Sequence, residues 1–417
     1  MKRVLLIAYH FPPLAGSSGI QRTLRFVQHL PKFGWDPIVL TAHPRAYEKT
    51  SADLLADVPS NVVVRRAFAL DTARHLSIGG RYLGFLARPD RWMTWQFDGI
   101  RQGLNLIQQH RPQAIWSTYP IATAHLIGHA LARRTGLPWI ADFRDPMAQK
   151  GYPADPRVWQ SFKRIEEAAM HDAKLNLFTT PGAARMYRER YPFAANRIDV
   201  LENGYDEDTF VDAENAMSHQ EPLNPGCLTL LHSGIVYPAE RDPTELFNAL
   251  GQLVASGQLD RNRLKVRFRA ASHEDLLRQH AATNQIEDMI EIMPAIPYRE
   301  ALAEMLRADG LLVLQASNCN DQIPAKIYEY LRARRPIVAL TDPKGDTASV
   351  VATAGICAIA PLDQSAAIAS TLLRFVADPL DGTLPTPESI ALASREGRTA
   401  KFSTLIEAIT CDNNCQP

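Results

Sequence analysis

Residues 321–340 read DQIPAKIYEYLRARRPIVAL: a carboxylate, a short basic helix, then an almost wholly apolar run. Pro324 suits a first helical position, and Arg332, Arg334 and Arg335 suit a last turn, where the helix dipole favours cations. PIVAL (336–340) has the length and composition of a strand buried on both faces. A helix feeding such a strand is the repeating unit of a covered parallel sheet. At 100° per residue Ile327 and Leu331 form the inner stripe of the helix, and Glu329 points almost the opposite way. On this geometry alone Glu329 is a solvated residue paired with Lys326, and Asp321 merely helps to start the helix.

The same rhythm runs outward along the chain. RVLLIAY, PIVLT, NVVVRRA, AIWSTY, PWIADF, LNLFTT and RIDVLEN alternate with helical patterns at about 20–33, 92–110, 121–136, 156–173 and 181–190. LTLLHSG, LKVRFRAA, MIEIM, GLLVLQAS, PIVALT and ICAIA repeat the pattern in the second half. Apolar strands alternating with helices predict two open, doubly wound α/β domains. The polar stretch 211–226 shows no clear period and marks a break, and DPLDGTLPTPES (378–389) is a second punctuation. The expected divisions are 1–205, 206–389, and a C-terminal helix with a tail over 390–417.

Bulk properties narrow the function. The chain has 417 residues, 46% hydrophobic and 22% charged, ordinary for a globular protein and enough for two domains. Its longest apolar runs fall far short of the ~20 residues of a membrane span, and MKRVLLIAYHFPP reads as a first strand rather than a leader. Five cysteines without metal spacing fit a reducing cytoplasm; Cys411 and Cys415 sit in a polar tail. The net charge is zero, yet residues 1–205 carry 27 Lys+Arg against 16 Asp+Glu, and 206–417 carry 18 against 29. A basic half suits an anionic substrate or membrane surface. No zinc-finger, RNP-type or basic-helix signature supports nucleic acid. Within LSIGGRYLGFLARPDRWMTWQFDGIRQGL (76–104), Arg81, Arg88 and Arg91 interleave with Tyr82, Phe85, Trp92 and Trp95. The segment is either a membrane-interface element or a loop and helix packed on its domain.

Ligands of open α/β sheets bind beyond the carboxyl ends of the strands, so the loops there carry the chemistry. After the first strand, YHFPPLAGSSGIQRTL places Gly16 and Gly19 at the opening of a helix, where backbone N–H groups would face an anion. The alternative is a plain strand–helix turn. The stretch is not G-x-G-x-x-G and no acid ends the second strand, which disfavours a nicotinamide or flavin site. After LTLLH comes SGIVYPAERDP: Gly234 allows close backbone approach, and Arg241 either holds a phosphate or pairs with Asp242. Asp321, Lys326 and Glu329 follow GLLVLQAS. In ADFRDP, Arg144 and Asp145 end another strand, as site residues or as a structural ion pair. His10 and His125 read as structural. The DED at 206–208 sits in an interdomain loop and is no metal site; no metal is expected.

Those residues carry a resemblance. FPPLAGSSGIQR, STYPIATAHLIG, PWIADFRDP, LENGYDEDTF, HSGIVYPAERDP, ADGLLVLQ and PAKIYEYLRARRPIVAL, in this order, resemble the bacterial GT-B glycosyltransferases of retaining family 4, group 1-like. The resemblance implies two Rossmann-like domains facing a cleft, acceptor side first and donor side second, the C-terminal helix returning toward the first. It implies that Asp321 and Glu329 occupy the family's E-x7-E motif, Glu329 accepting from the donor ribose. Gly16, Gly19, Gly234 and Lys326 would hold the diphosphate, and Asp321, Arg241 and Asp145 would serve the transfer. Asp321 replaces the usual glutamate and Ile235 follows Gly234 where the family often has arginine.

The expected activity is therefore transfer of a sugar from a UDP- or GDP-linked donor, with retention and without a cofactor. The acceptor is expected to be a lipid-linked saccharide or a polysaccharide of envelope or exopolysaccharide assembly. The protein would be cytoplasmic, at the inner face of the plasma membrane, with peripheral contact to anionic lipid. The rivals are a nucleotide-sugar 2-epimerase on the same fold and a non-catalytic GT-B binding module.

Overall fold

The structure is a computed structural model that describes residues 2–17, 19–217 and 221–411. Contacts divide the chain into a first unit, Met1–Glu202 with Arg395–Pro417, and a second, Asn203–Ser394. Each of the thirteen strand-like runs carries one strand.

The first unit holds β1 (Lys2–Ile7), β2 (Trp35–Ala42), β3 (Val63–Ala67), β4 (Ala114–Thr118), β5 (Trp139–Arg144), β6 (Leu175–Phe178) and β7 (Ile198–Val200). They form one parallel sheet ordered β3-β2-β1-β4-β5-β6-β7. Both faces are covered, which is why the strands are apolar without alternation. Val4 and Leu6 pack toward Phe26, Trp116 and Phe402, while Leu5 and Ile7 pack toward Trp95, Leu106 and Ile127. The last helix, Arg395–Cys411, belongs to this unit: Phe402 stacks on Phe26 at 4.6 Å between ring centroids. Asp155 caps the helix Pro156–Asp172 by accepting from the N–H groups of Arg157 and Val158.

The second unit holds β8 (Leu228–Ser233), β9 (Leu264–Arg269), β10 (Ile290–Met293), β11 (Gly310–Gln315), β12 (Ile337–Thr341) and β13 (Ile359–Ala360). Its parallel sheet is ordered β10-β9-β8-β11-β12-β13. In both sheets the order reverses beside the first strand, between β1 and β4 and between β8 and β11. Crevices open at such reversals, because successive connections leave to opposite faces.

Three local expectations need correction. Part of the polar stretch after residue 205 is a helix, Glu207–Ala216, that packs Phe210 and Ala213 inward and so carries a period too sparse to read. The helix of the 321–340 stretch is Lys326–Ala333, with Pro324 two residues ahead of it, accepting from the Ile327 N–H at 3.0 Å. Arg332 is not an exposed dipole partner: it is buried and forks onto Glu207 (2.6 and 2.7 Å) and Glu214 (2.9 Å), tying two helices together.

Candidate donor-binding site

In the second unit the loops after β8 and β11 meet at the reversal point. Gly234 stands one residue past β8 at φ +113°, its N–H donating to Arg269 O at 2.8 Å. A Cβ there would lie 3.2 Å from Lys326 Nζ, so the missing side chain is what lets the lysine lie over the backbone. Lys326 opens its helix, and its ammonium is 3.1 Å from His232 Nε2. Burial, then the nearby Arg241 guanidinium, lowers the amine from 10.5 to about 7, against an opposing pull from Glu329.

Glu329 lies one turn further along the same helix, half-buried. Its Oε1 accepts from the Tyr298 hydroxyl at 2.6 Å, and its charge also acts on the Lys326 amine. Ile327 and Leu331 are buried as the stripe requires, and so are Tyr328 and Tyr330. Tyr330 reaches under the site, its hydroxyl accepting from the Ser233 N–H at 3.0 Å. Arg241 is not paired with Asp242, which instead accepts from Thr244. It curls back to donate to Ile235 O at 2.6 Å and lies 5.1 Å from the Tyr237 ring centre. That contact fixes a cation where Ile235 itself supplies none.

Asp321 sits on the exposed loop after β11. Gln315, buried at the strand end, clamps this loop by donating to Cys319 O (2.6 Å) and Gln322 O (2.9 Å) and accepting from Thr347 (2.7 Å). Gly234, Lys326, Glu329 and Arg241 are thus gathered at one strand reversal, with Asp321 on a fixed loop beside it. His232, Tyr298 and Gln315 were not singled out by sequence. The available signal was a histidine within the almost wholly apolar run LTLLHS, a strand buried on both faces. A separate concavity of about 830 Å³ opens between the loops after β8, β11, β12 and β13, lined by Asp242, Ser317, Asp342, Lys344 and Leu362. None of the four gathered residues lines it.

In the first unit the reversal between β1 and β4 carries a second polar cluster. Gly16 lies in the turn after β1, and Gly19 opens the helix Gly19–His29. A Cβ on Gly19 would fall 2.3 Å from His10 Nδ1 and 3.0 Å from an Arg144 terminal nitrogen, so that glycine makes room for these two side chains. The Gly19 N–H donates to Ser17 Oγ at 3.2 Å, and Ser17 Oγ is 3.1 Å from His10 Nδ1. Burial, then Arg144, lowers His10 to about 4, so the ring is neutral. His125 is fully buried, with Nδ1 2.8 Å from Ser117 Oγ, and burial also lowers it to about 4: it is structural.

Arg144 takes φ +61°, and its carbonyl accepts from Thr179 N and Oγ1 at 2.9 and 2.8 Å. It makes no ion pair with Asp145 among the described residues; one terminal nitrogen approaches Tyr119 O at 3.4 Å, and Nε is buried without a hydrogen bond. Asp142 is already taken by Arg22 through two bonds of 2.8 Å and by Thr118 at 2.9 Å. Asp145 is exposed beside this cluster. In the DED stretch Glu207 is held by Arg332, and no group of three or more metal-ligating side chains occurs among the described residues.

Residues 18–204 match the family model described as a glycosyl transferase 4-like domain. Curated protein sequences return no match. Solved structures do. Trehalose 6-phosphate synthase from Burkholderia multivorans aligns at TM-score 0.63 and 14% identity over 99% of this chain and 98% of its own. Anabaena HepE, in complex with UDP-glucose, aligns at TM-score 0.55 and 12% identity over 99% of both chains. A Listeria monocytogenes protein assigned as a UDP-N-acetylglucosamine 2-epimerase aligns at 0.55 and 11% over 100% of this chain and 98% of its own. At such identities the alignments speak for the fold, and the family model speaks for the first unit. The family model thus assigns a glycosyl transferase 4-like domain to residues 18–204, and the alignments with the two doubly wound sheets give the whole chain a GT-B fold.

Proposed function

We propose that the second unit binds a nucleoside-diphosphate sugar and that the enzyme transfers the sugar with retention to a lipid-linked saccharide or polysaccharide. The observation carrying this reading is the Gly234–Lys326–Glu329 arrangement at the β8/β11 reversal: open backbone, a cation over it, and a carboxylate one helical turn away. Backbone and ammonium suit a diphosphate, and a carboxylate suits ribose hydroxyls. Arg241, fixed on Ile235 O, adds charge toward the leaving phosphate, where stabilisation of developing charge is worth most. Asp321 is assigned to the transferred sugar. In the first unit, Gly16 and Gly19 toward the diphosphate and Asp145 toward the acceptor or the transferred sugar rest on the resemblance of their motifs. The UDP-glucose bound by HepE favours UDP over GDP as the donor nucleotide.

No helix among the described residues is long and apolar enough to cross a membrane. A lipid-linked acceptor would be met at the inner face of the plasma membrane by a peripheral contact. Ile78, Tyr82, Leu83 and Phe85 are exposed beside Arg81 and Arg88, a composition suited to that face, whereas Trp95 is buried in the core.

The Listeria neighbour favours one second reading, epimerisation of a nucleotide sugar without an acceptor. Incubation of purified protein with UDP- and GDP-sugars separates the two. Acceptor-dependent release of nucleoside diphosphate supports transfer; a changed sugar still attached to its nucleotide supports epimerisation; neither product sinks both. Thermal shift selects the donor first, because a ligand at ~100 times its Kd adds ~2.7 kcal/mol. Asp321→Ala is expected to lower turnover more than donor affinity.

A further inference from the structure

We propose that His232 is a positioning residue for the donor site, holding the Lys326 ammonium over Gly234 through one accepted hydrogen bond. The inference rests on the reading of Lys326 as a diphosphate ligand. The tautomer follows from the neighbours. Of the two backbone groups that bond to the His232 ring, Leu312 acts more strongly than Ile235; its O lies 3.0 Å from Nδ1 and can only accept, so we assign the proton to Nδ1. The neutral ring then presents a bare Nε2, which accepts from Lys326 Nζ at 3.1 Å. His232 has no exposed surface, and burial, then the charges of Lys326 and Arg241, push it well below its ordinary value. It stays neutral, with the acceptor always aimed at the lysine.

The placement separates this contact from an ordinary ion pair. His232 is anchored to β11 through Leu312 O, so the ring is fixed by the sheet and not by the helix that carries Lys326. A carboxylate in its place would neutralise the amine and compete with a phosphate. An imidazole lone pair orients the amine and leaves its charge for the ligand. The charged and titratable groups facing Lys326 are His232 on β8, Arg241 on the following loop and Glu329 on its own helix. Arg241 and the desolvation disfavour the ammonium, so an arriving diphosphate both accepts its hydrogen bonds and favours its protonation.

The test is calorimetric titration of UDP, GDP and the matching nucleosides into wild type, His232→Phe, His232→Gln, Lys326→Met and the His232→Phe/Lys326→Met double variant. For the nucleoside diphosphate that wild type binds, His232→Phe is expected to lose about tenfold in affinity, the scale of one hydrogen bond to a charged group. Nucleoside affinity should hold, and His232→Gln, which keeps an acceptor, should recover most of the loss. The double variant should bind no more weakly than Lys326→Met, since His232 acts only through the lysine. Equal affinity of wild type and His232→Phe, or additive losses in the double variant, overturns the inference while leaving the donor site standing. If wild type binds neither nucleotide, the donor-site reading falls and this inference with it. Should His232→Phe fail to fold, nitrogen NMR of histidine-labelled wild type decides. A neutral Nδ1–H ring between about pH 5 and 8 supports the inference, and an Nε2–H ring or a midpoint near the ordinary value of ~6.5 overturns it.

Discussion

The Tyr298 hydroxyl donates to Glu329 Oε1 at 2.6 Å and so joins the helix Tyr298–Arg307, which follows β10, to the helix Lys326–Ala333, which follows β11. A half-buried carboxylate on a three-bond side chain would otherwise sample several rotamers. The phenol narrows that sampling toward one wall of the site. Glu329→Ala should weaken nucleoside diphosphate binding by ~1.5–3 kcal/mol, and Tyr298→Phe by ~1 kcal/mol. Titration calorimetry checks both. Unchanged affinity in Glu329→Ala would return that residue to the role of a solvated helix side chain.

Gly234→Ala tests the close approach. At φ +113° an L side chain is strained, at a cost of ~1–3 kcal/mol, and the new methyl would press on Lys326 Nζ. Lower thermal stability together with weaker nucleoside diphosphate binding is expected. A variant that melts and binds like wild type would show that the backbone there relaxes freely and that the glycine is not needed.

Lys326 sets a pH dependence with a definite sign. Its amine falls from 10.5 in the unfolded chain to about 7 in the fold, so between these values the unfolded chain binds the additional proton. Unfolding free energy should therefore rise with pH from about 7 toward 10, and the penalty is fully present below 7. Lys326→Met should remove this contribution and be the more stable protein at neutral pH, a usual cost of a functional charge. Denaturant titrations of both proteins across that range measure the difference, and parallel curves would contradict it.

Asp142→Ala should be among the most damaging substitutions in the first unit. Arg22 and Asp142 are both buried and joined by two 2.8 Å bonds, and losing the carboxylate leaves a buried guanidinium uncompensated. The expected cost is ~3–5 kcal/mol, read as a fall in Tm. A loss below ~1 kcal/mol would mean that water, beside the bond Arg22 already donates to Leu201 O at 2.9 Å, satisfies the arginine.

Membrane contact is tested with Arg81→Ser/Arg88→Ser and, separately, Leu83→Ser/Phe85→Ser. Arg91 is left intact because it pairs with Glu48 and Asp71 and so supports the fold. Wild type should sediment with anionic vesicles at low salt and not with neutral ones, each basic residue near the surface contributing ~1 kcal/mol. Both variants should sediment less and bind nucleotide normally. Wild type that ignores anionic vesicles at low salt would remove the physical support for a lipid-linked acceptor.

Strand after strand was legible because burial on both faces writes itself as unbroken apolar runs such as VLLI and LLVL. The position of Glu329 was equally legible, since helical geometry is fixed once Ile327 and Leu331 define the stripe. Its partner was not. Tyr298 lies 31 residues away, and only the parallel register of the sheet brings it near. Lys326 and His232 are separated by 94 residues, joined by the β8/β11 reversal that no local pattern encodes. The helix Glu207–Ala216 escaped notice because it buries only Phe210 and Ala213 and is held instead by Arg332. Gly19 was legible as the opening of a helix, but not the occupants of its missing side chain: His10 comes from its own loop and Arg144 from the end of β5.

The helix Arg395–Cys411 closes a hydrophobic face begun by Phe26 and Trp116, which are made before the whole of the second unit. On the ribosome, the amino-terminal sheet is therefore made first and completed last. Until the final helix emerges, that face stays bare while the intervening unit, continuous from Asn203 to Ser394, has all of its own residues in hand. The order of completion is thus the reverse of the order of translation, and the nascent amino-terminal half is the part of this protein that a chaperone would need to shield.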